Sequence, residues 1–276
     1  MTPAARRQVD ALLATAELHQ TPGLAWQQWS QAGPRLLLLH GGFGSWNHWF
    51  ANIEGLREHC ELWTLDLPGL GASADISAAA RPADFADRVL AGLDDLWPDG
   101  AEVYLAGFSF GAMVGIRLAQ RLGNRCRRFI AIGAAGWGEL HVQVPLSPPP
   151  PATTGWEQSA PVHKANLRAL MFSPEFSIDE LAISLHAENL ARARFNSRGL
   201  SRTDDFRLAL ASATAPVHCA WGSVDATAGG EAFLASRAAL LEDTGAGFEL
   251  LPGVGHWAMY EVPAAVNRIL LDALAH

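Results

Sequence analysis

Short apolar runs, each bounded by glycine, proline or polar residues, recur along this chain. Arg35–Leu39 contains four consecutive leucines, and Cys60–Leu65, Val103–Ala106, Arg128–Ile132, Pro216–Trp221 and Phe248–Leu251 have the same character. Such runs are too evenly apolar for strands with one wet face and too short for helices, so they predict strands buried on both sides. Leu24–Gln31 mixes apolar and polar residues and reads as an early strand. Between the runs the period lengthens. Arg81–Trp97 (with Pro82 near its start), Ala112–Leu122, Glu231–Leu241 and Pro263–Ala275 read as helices. Met1–Gln20 reads as an amphipathic helix. Strands alternating with helices predict an α/β fold, a mostly parallel central sheet with helices on both faces.

The pattern breaks between β-like segments at residues 137–214. Pro145 and Pro148–Pro151 form a stiff, extended tract. Helical stretches follow around Pro161–Phe172 and Ile178–Asn196, with no buried strand until Pro216. The expected organisation is therefore a core of residues 1–136 and 215–276 with a helical cap, 137–214, inserted into it and lying over the site.

The ends of the buried strands carry the chemistry. His40-Gly41-Gly42-Phe43-Gly44-Ser45, Asp66-Leu67-Pro68-Gly69, Gly107-Phe108-Ser109-Phe110-Gly111, Asp225 and His256 all follow such runs. In a parallel sheet these exits meet on one rim. A strand, a sharp turn holding one serine between two glycines, and then a helix is the context that makes G-x-S-x-G informative. The helix start also turns free N–H groups and its positive dipole end toward that serine. Acyl transfer needs a nucleophile, a base and an acid to orient the base, and Ser109, Asp225 and His256 supply them in the order Ser, Asp, His. Glu139, Glu231 and the Asp204-Asp205 pair compete with Asp225 for the acid. Asp66 is read as a loop-holding carboxylate and His40 as a structural histidine. Trp46, Trp49, Trp137, Trp156 and Trp257 are read as packing residues that could also line a pocket.

Composition narrows the class. At 276 residues, 49% hydrophobic and 17% charged, the chain is globular. A net charge of −8 argues against a nucleic-acid partner, which calls for a basic face. Cys60, Cys126 and Cys219 are few and widely spaced, so buried free thiols are expected, with no disulfide framework and no metal site. No apolar run approaches a membrane span and the N-terminus shows no signal pattern, so a cytoplasmic location without membrane contact is the expectation.

Taken together, HGGFG, DLPGLGAS, GFSFG, WGSVDA and GVGHW resemble the α/β-hydrolase superfamily, in its order and at similar spacing over residues 35–275. The resemblance implies Ser109 as nucleophile, His256 as general base and then acid, and Asp225 as its partner. It implies oxyanion donors at the amides of Phe110 and Gly42, with Phe43 the one-residue alternative to Gly42. Phe43 and Trp257 are the expected substrate contacts, the substrate is a small molecule, and no cofactor is implied. His256-Trp257-Ala258-Met259-Tyr260-Glu261 is also similar to the GHW-x-x-x-E segment of carbon–carbon hydrolases that cleave meta-ring-fission products of aromatics. Those enzymes use a cap arginine on a substrate carboxylate, and Arg192, Arg194 and Arg198 are candidates here. Their usual HGGGPG loop and Asn–Ser–Met elbow are replaced by HGGFGS and Phe108-Ser109-Phe110. Hydrolysis of a small carboxylic ester is therefore the first expectation and carbon–carbon cleavage the alternative. A non-catalytic ligand-binding member of the fold is the reading of a different class. All three arginines are expected to be solvated, with 194 and 198 on one helical face.

Overall fold

The computed structural model describes residues 1–151 and 153–275. Eight strands, β1 (Glu17–Thr21), β2 (Leu24–Gln28), β3 (Arg35–Leu39), β4 (Glu61–Asp66), β5 (Val103–Phe108), β6 (Cys126–Ile132), β7 (Val217–Gly222) and β8 (Gly247–Leu251), form one sheet in the order β1-β2-β4-β3-β5-β6-β7-β8. The β1–β2 and β2–β4 pairs are antiparallel, and every pair from β4 to β8 is parallel. This is the α/β-hydrolase fold.

The even hydrophobicity of the runs has a direct structural cause. Leu37 and Leu39 enter the core on one face of the sheet, and Leu36 and Leu38 enter the core on the other. Phe129 and Ala131 of β6 likewise oppose Ile130 and Ile132. The helices Pro82–Leu96 and Phe110–Leu122 cover the first face through Phe85, Val89, Val114 and Leu118. The helices Pro3–Leu13 and Pro263–Leu274 cover the second through Val9, Leu12, Val266 and Ile269. Burying each such side chain contributes about 1.5–3 kcal/mol, so both faces contribute to stability.

The N-terminus departs from expectation. The first helix stops at Leu13, and Glu17–Thr21 is an edge strand joined to β2 by a tight turn at Pro22-Gly23. The strand is largely exposed, with Leu18 61% exposed, so it carries no apolar alternation that would mark it.

Between β6 and β7 the described residues contain no strand. They form the helices Trp156–Leu170, Glu180–Arg192, Arg198–Ser201 and Asp205–Leu210 with irregular segments between them. The three cysteines are free and buried. Among the described residues no helix is long and apolar enough to cross a membrane, and no cluster of three or more side chains suited to a metal ion occurs.

Candidate active site

At the carboxyl end of β5 the chain reverses at Ser109 (φ 52, ψ −112) and enters the helix Phe110–Leu122. This left-handed conformation is sterically costly for a residue with a side chain. Its surroundings hold it there. Ser109 N–H donates to the Ile132 carbonyl at 2.9 Å, and its carbonyl accepts from Ala112 N–H at 3.1 Å. The flanking glycines are required by space. A methyl group at Gly107 would lie 2.6 Å from the Gly111 carbonyl oxygen, and one at Gly111 would collide with the carbonyls of Leu39 and His40.

His256, five residues beyond β8, is nearly buried, and its Nδ1 lies 2.7 Å from Oδ2 of Asp225, which follows β7. The other carboxylate oxygen accepts from both the N–H and the hydroxyl of Thr227, each at 2.8 Å. Burial by itself would raise the Asp225 carboxyl; the adjacent His256 and the bonds from His256 and Thr227 outweigh it and hold it below the usual carboxylate range. The competing acids lie elsewhere: Glu139 and Glu231 are exposed, and Asp204 and Asp205 each hold an arginine. Asp204 pairs with Arg207 at 2.7 Å and Asp205 with Arg117 at 2.8 Å.

Ser109 and His256 open onto one cavity of about 140 Å³. Its core-side wall includes Gly42, Phe43, Phe108 and Phe110, and its other wall is built from the inserted segment, including Val142, Leu146, Leu190 and Ser197. At the helix start, Phe110 N–H meets no acceptor among the described residues, and the same holds for Gly42 and Phe43 in the His40–Ser45 loop. Phe43 also sits at φ 55. Gly42 faces both the Phe110 side chain and the Ser197 hydroxyl, into which a methyl group at Gly42 would run. Ser197 is 2% exposed, and sequence patterning gave no sign of it.

The loop around Gly42 is fixed from below. His40 donates from Nδ1 to the Gly41 carbonyl at 2.7 Å and accepts at Nε2 from Leu67 N–H at 2.9 Å. Burial pulls its pKa down to about 4, opposed by the Gly41 bond, so the ring is neutral. Asp66 accepts from Trp46 N–H and Ala72 N–H, each at 2.8 Å. Burial pushes its carboxyl up to about 6, against those bonds and the charges of Arg192 and Arg194.

Three expectations need correction. Trp257 is not part of the cavity wall. Its indole N–H donates to the His48 carbonyl at 2.8 Å and its ring stacks near Phe172, so it backs His48, which does reach the cavity. Arg194 and Arg198 do not share a helical face. The helix ends at Arg192 because Ala193 turns extended and Arg194 N–H bonds to the Gly69 carbonyl at 2.9 Å. The arginines are also not equivalent. Arg192 is 54% exposed beside Glu188, and Arg194 is tied to Asp75 and to the carbonyls of Gly71 and Ser73. Arg198 instead lines the cavity, its guanidinium 5.8 Å from the centre of the Phe43 ring, and Arg202 lines it too, bound to Gln143 at 3.2 Å. Neither forms an ion pair among the described residues.

Glu261, the last residue of the GHW-x-x-x-E segment, joins the His256 loop to the insert. It accepts from Gly255 N–H at 3.0 Å, from Ser173 N–H at 3.1 Å and from the Ser173 hydroxyl.

A strained serine elbow on a mostly parallel sheet, with an Asp–His pair at neighbouring strand exits, defines an α/β hydrolase. Residues 36–269 match the alpha/beta hydrolase family, and the chain belongs to that family of hydrolases. It is similar to the 2-hydroxy-6-oxononadienedioate/2-hydroxy-6-oxononatrienedioate hydrolase of Escherichia coli K12, 25% identical over 288 residues, covering 95% of this chain and 94% of that protein. It is also similar to the dihydrolipoyllysine-residue acetyltransferase component of the acetoin cleaving system of Pseudomonas putida, 36% identical over 109 residues. That match spans 40% of this chain and only 29% of that protein. Among solved structures, a carboxylesterase from Bacillus subtilis superposes with a TM-score of 0.70 at 20% identity, covering 98% of this chain and 97% of that one.

Proposed function

We propose that this chain is a serine hydrolase that cleaves a small carboxylic ester through an acyl-enzyme. Ser109 Oγ attacks the ester carbonyl while His256 Nε2 takes its proton. Asp225 fixes the ring through Nδ1 and stabilises the imidazolium. The amides of Phe110 and Gly42, or Phe43 in place of Gly42, hold the developing oxyanion, each such donor being worth on the order of 3–4 kcal/mol in the transition state. His256 then returns its proton to the departing alcohol. Water, activated by the same ring, releases the acid. Residues 137–214 act as a lid that excludes bulk water and shapes the acyl pocket.

The observation that carries this reading is Ser109, held in a left-handed turn in the wall of the cavity that the Asp225-paired His256 also lines. The apolar rings of Phe43, Phe108 and Phe110 next to it favour a neutral acyl group. Hydrolysis of short p-nitrophenyl esters, with one equivalent of a fluorophosphonate bound at Ser109, tests it. Labelling at another residue would refute the assignment.

A second reading, hydrolysis of a carbon–carbon bond in a ring-fission product, is favoured by one observation. Arg198 and Arg202 border the cavity without an ion-pair partner among the described residues, and a planar guanidinium is suited to a substrate carboxylate. The similarity to the Escherichia coli dienedioate hydrolase agrees with it. A dienoic acid offered beside the neutral esters separates the two.

A further inference from the structure

Arg237 lies on the helix Glu231–Asp243 and is 0% exposed. Its guanidinium packs against a pair of edge-to-face indoles, 5.7 Å from the Trp137 ring centre and 5.4 Å from that of Trp221. Nη2 donates to the Leu140 carbonyl and reaches the Thr227 carbonyl at 3.5 Å. Nε and Nη1 are buried and meet no hydrogen-bond acceptor among the described residues, and no carboxylate there pairs with the group. A buried cation is costly unless charge and dipoles nearby compensate it. The two ring faces supply part of that compensation. The negative charge supplying more is Asp225: burial pulls the guanidinium down to about 10, and the Asp225 charge opposes that pull.

The connection is also covalently short. Thr227 holds Asp225 Oδ1 through its N–H and its hydroxyl, and its own carbonyl accepts from Val142 N–H at 3.0 Å and from Arg237. Leu140 and Val142 flank His141, and His141 and Val142 line the cavity. One buried guanidinium therefore touches the loop that carries the acid and the first residues of the insert.

We propose that Arg237 is a positioning residue: its hydrogen bonds lock the Asp225 loop to the start of the insert, and its buried positive charge opposes the gain of a second positive charge on His256. This rests on the Ser109–His256–Asp225 reading above. With neutral His256, Arg237 and Asp225 balance. Protonating His256 leaves a net buried positive charge, which Arg237 opposes. Without Arg237, protonation instead neutralises Asp225 and becomes easier. The other titratable groups facing this cluster are His141, His48 and Arg202. Burial pulls His141 down to about 4 and His48 well below its ordinary value, so both stay neutral.

The test is the pH dependence of fluorophosphonate inactivation, which reads Ser109 reactivity whatever the substrate. Arg237→Met should move the acidic limb upward by about one pH unit, a tenfold slowing on that limb. Arg237→Lys should keep the limb near its original place while lowering the thermal midpoint. Arg237→Gln, which retains a donor for Leu140, is a second neutral variant should Arg237→Met fail to fold. A folded neutral variant with an unmoved limb, or a lysine variant shifted as far as the neutral ones, would overturn the proposal. Absence of labelling at Ser109 in the unmodified protein would instead overturn the functional reading beneath it.

Discussion

Gly133 faces His256 so closely that a methyl group on its Cα would sit 3.1 Å from Nδ1 of that ring and 3.4 Å from Asp225 Oδ2. Gly133 directly follows β6 at φ 55, and its N–H donates to the Ala220 carbonyl at 2.8 Å. The hydrogen bond between His256 and Asp225 thus depends on a missing side chain one strand away. Gly133→Ala adds left-handed strain of about 1–2 kcal/mol and displaces the imidazole by a few tenths of an ångström. We expect the thermal midpoint to fall by roughly 2–6 °C and kcat to fall about tenfold with KM little changed. Steady-state kinetics on a p-nitrophenyl ester check it; wild-type kcat in a folded variant would contradict the geometry.

Buried and half-buried histidines set the pH range of stability. Burial holds His40 and His141 near 4 and His186 near 3, and holds His48 well below 6.5. A depressed folded value means that the stabilisation is complete above 6.5 and is lost as pH falls through the interval down to the folded value. Asp66 works in the opposite sense. Its value rises from 3.8 to about 6, so its contribution is lost as pH rises through that interval. His163 and His218 are lowered by burial as well, and six depressed histidines outweigh one raised carboxylate. Thermal unfolding from pH 7.5 to pH 5 should show a steady decline, partly relieved in His186→Phe. A midpoint that rises on acidification would show that Asp66 dominates.

Arg198 distinguishes the two substrate classes. It lies over Phe43 at the cavity wall, whereas Arg192 pairs with Glu188 and Arg194 anchors to Asp75. Arg198→Ala should leave kcat/KM for a short neutral ester within about twofold. A carboxylate-bearing substrate that uses this group should lose roughly 10²-fold or more, the cost of removing a charge-assisted bidentate contact. Kinetics of both substrate types in the variant give the answer. Efficient dienoic acid cleavage that collapses in Arg198→Ala would establish the second reading in place of the first.

What was legible in the sequence follows from the physics of each segment. The parallel strands are buried on both faces, so Leu36–Leu39 and Val103–Ala106 stand out as continuous apolar runs, and the residues leaving them, including Ser109, converge on one rim. Glu17–Thr21 has an exposed edge and little burial, so it left no such trace. Ser197, Arg202 and His141 reach the cavity from the insert, where position is set by tertiary contacts such as the Ser45–Asn189–Asn47 hydrogen bonds and the Glu261–Ser173 bonds. No periodicity encodes those contacts. Trp257 was misplaced for the same reason. Its motif marks the His256 loop correctly, but which wall its indole supports depends on the His48 carbonyl to which it bonds.

The account turns on Ser109, and the most direct measurement compares the wild type with Ser109→Ala for ester turnover and fluorophosphonate incorporation, the modified residue being located by peptide mass spectrometry. Loss of the nucleophile should lower kcat by roughly 10⁴-fold or more while leaving a small residual rate from the oxyanion donors. Incorporation should be one equivalent at Ser109 in the wild type and none in the variant, with the two proteins unfolding within a few degrees of each other. Undiminished turnover in Ser109→Ala, or an equivalent of label on a different residue, would contradict the assignment of this elbow as the reactive centre.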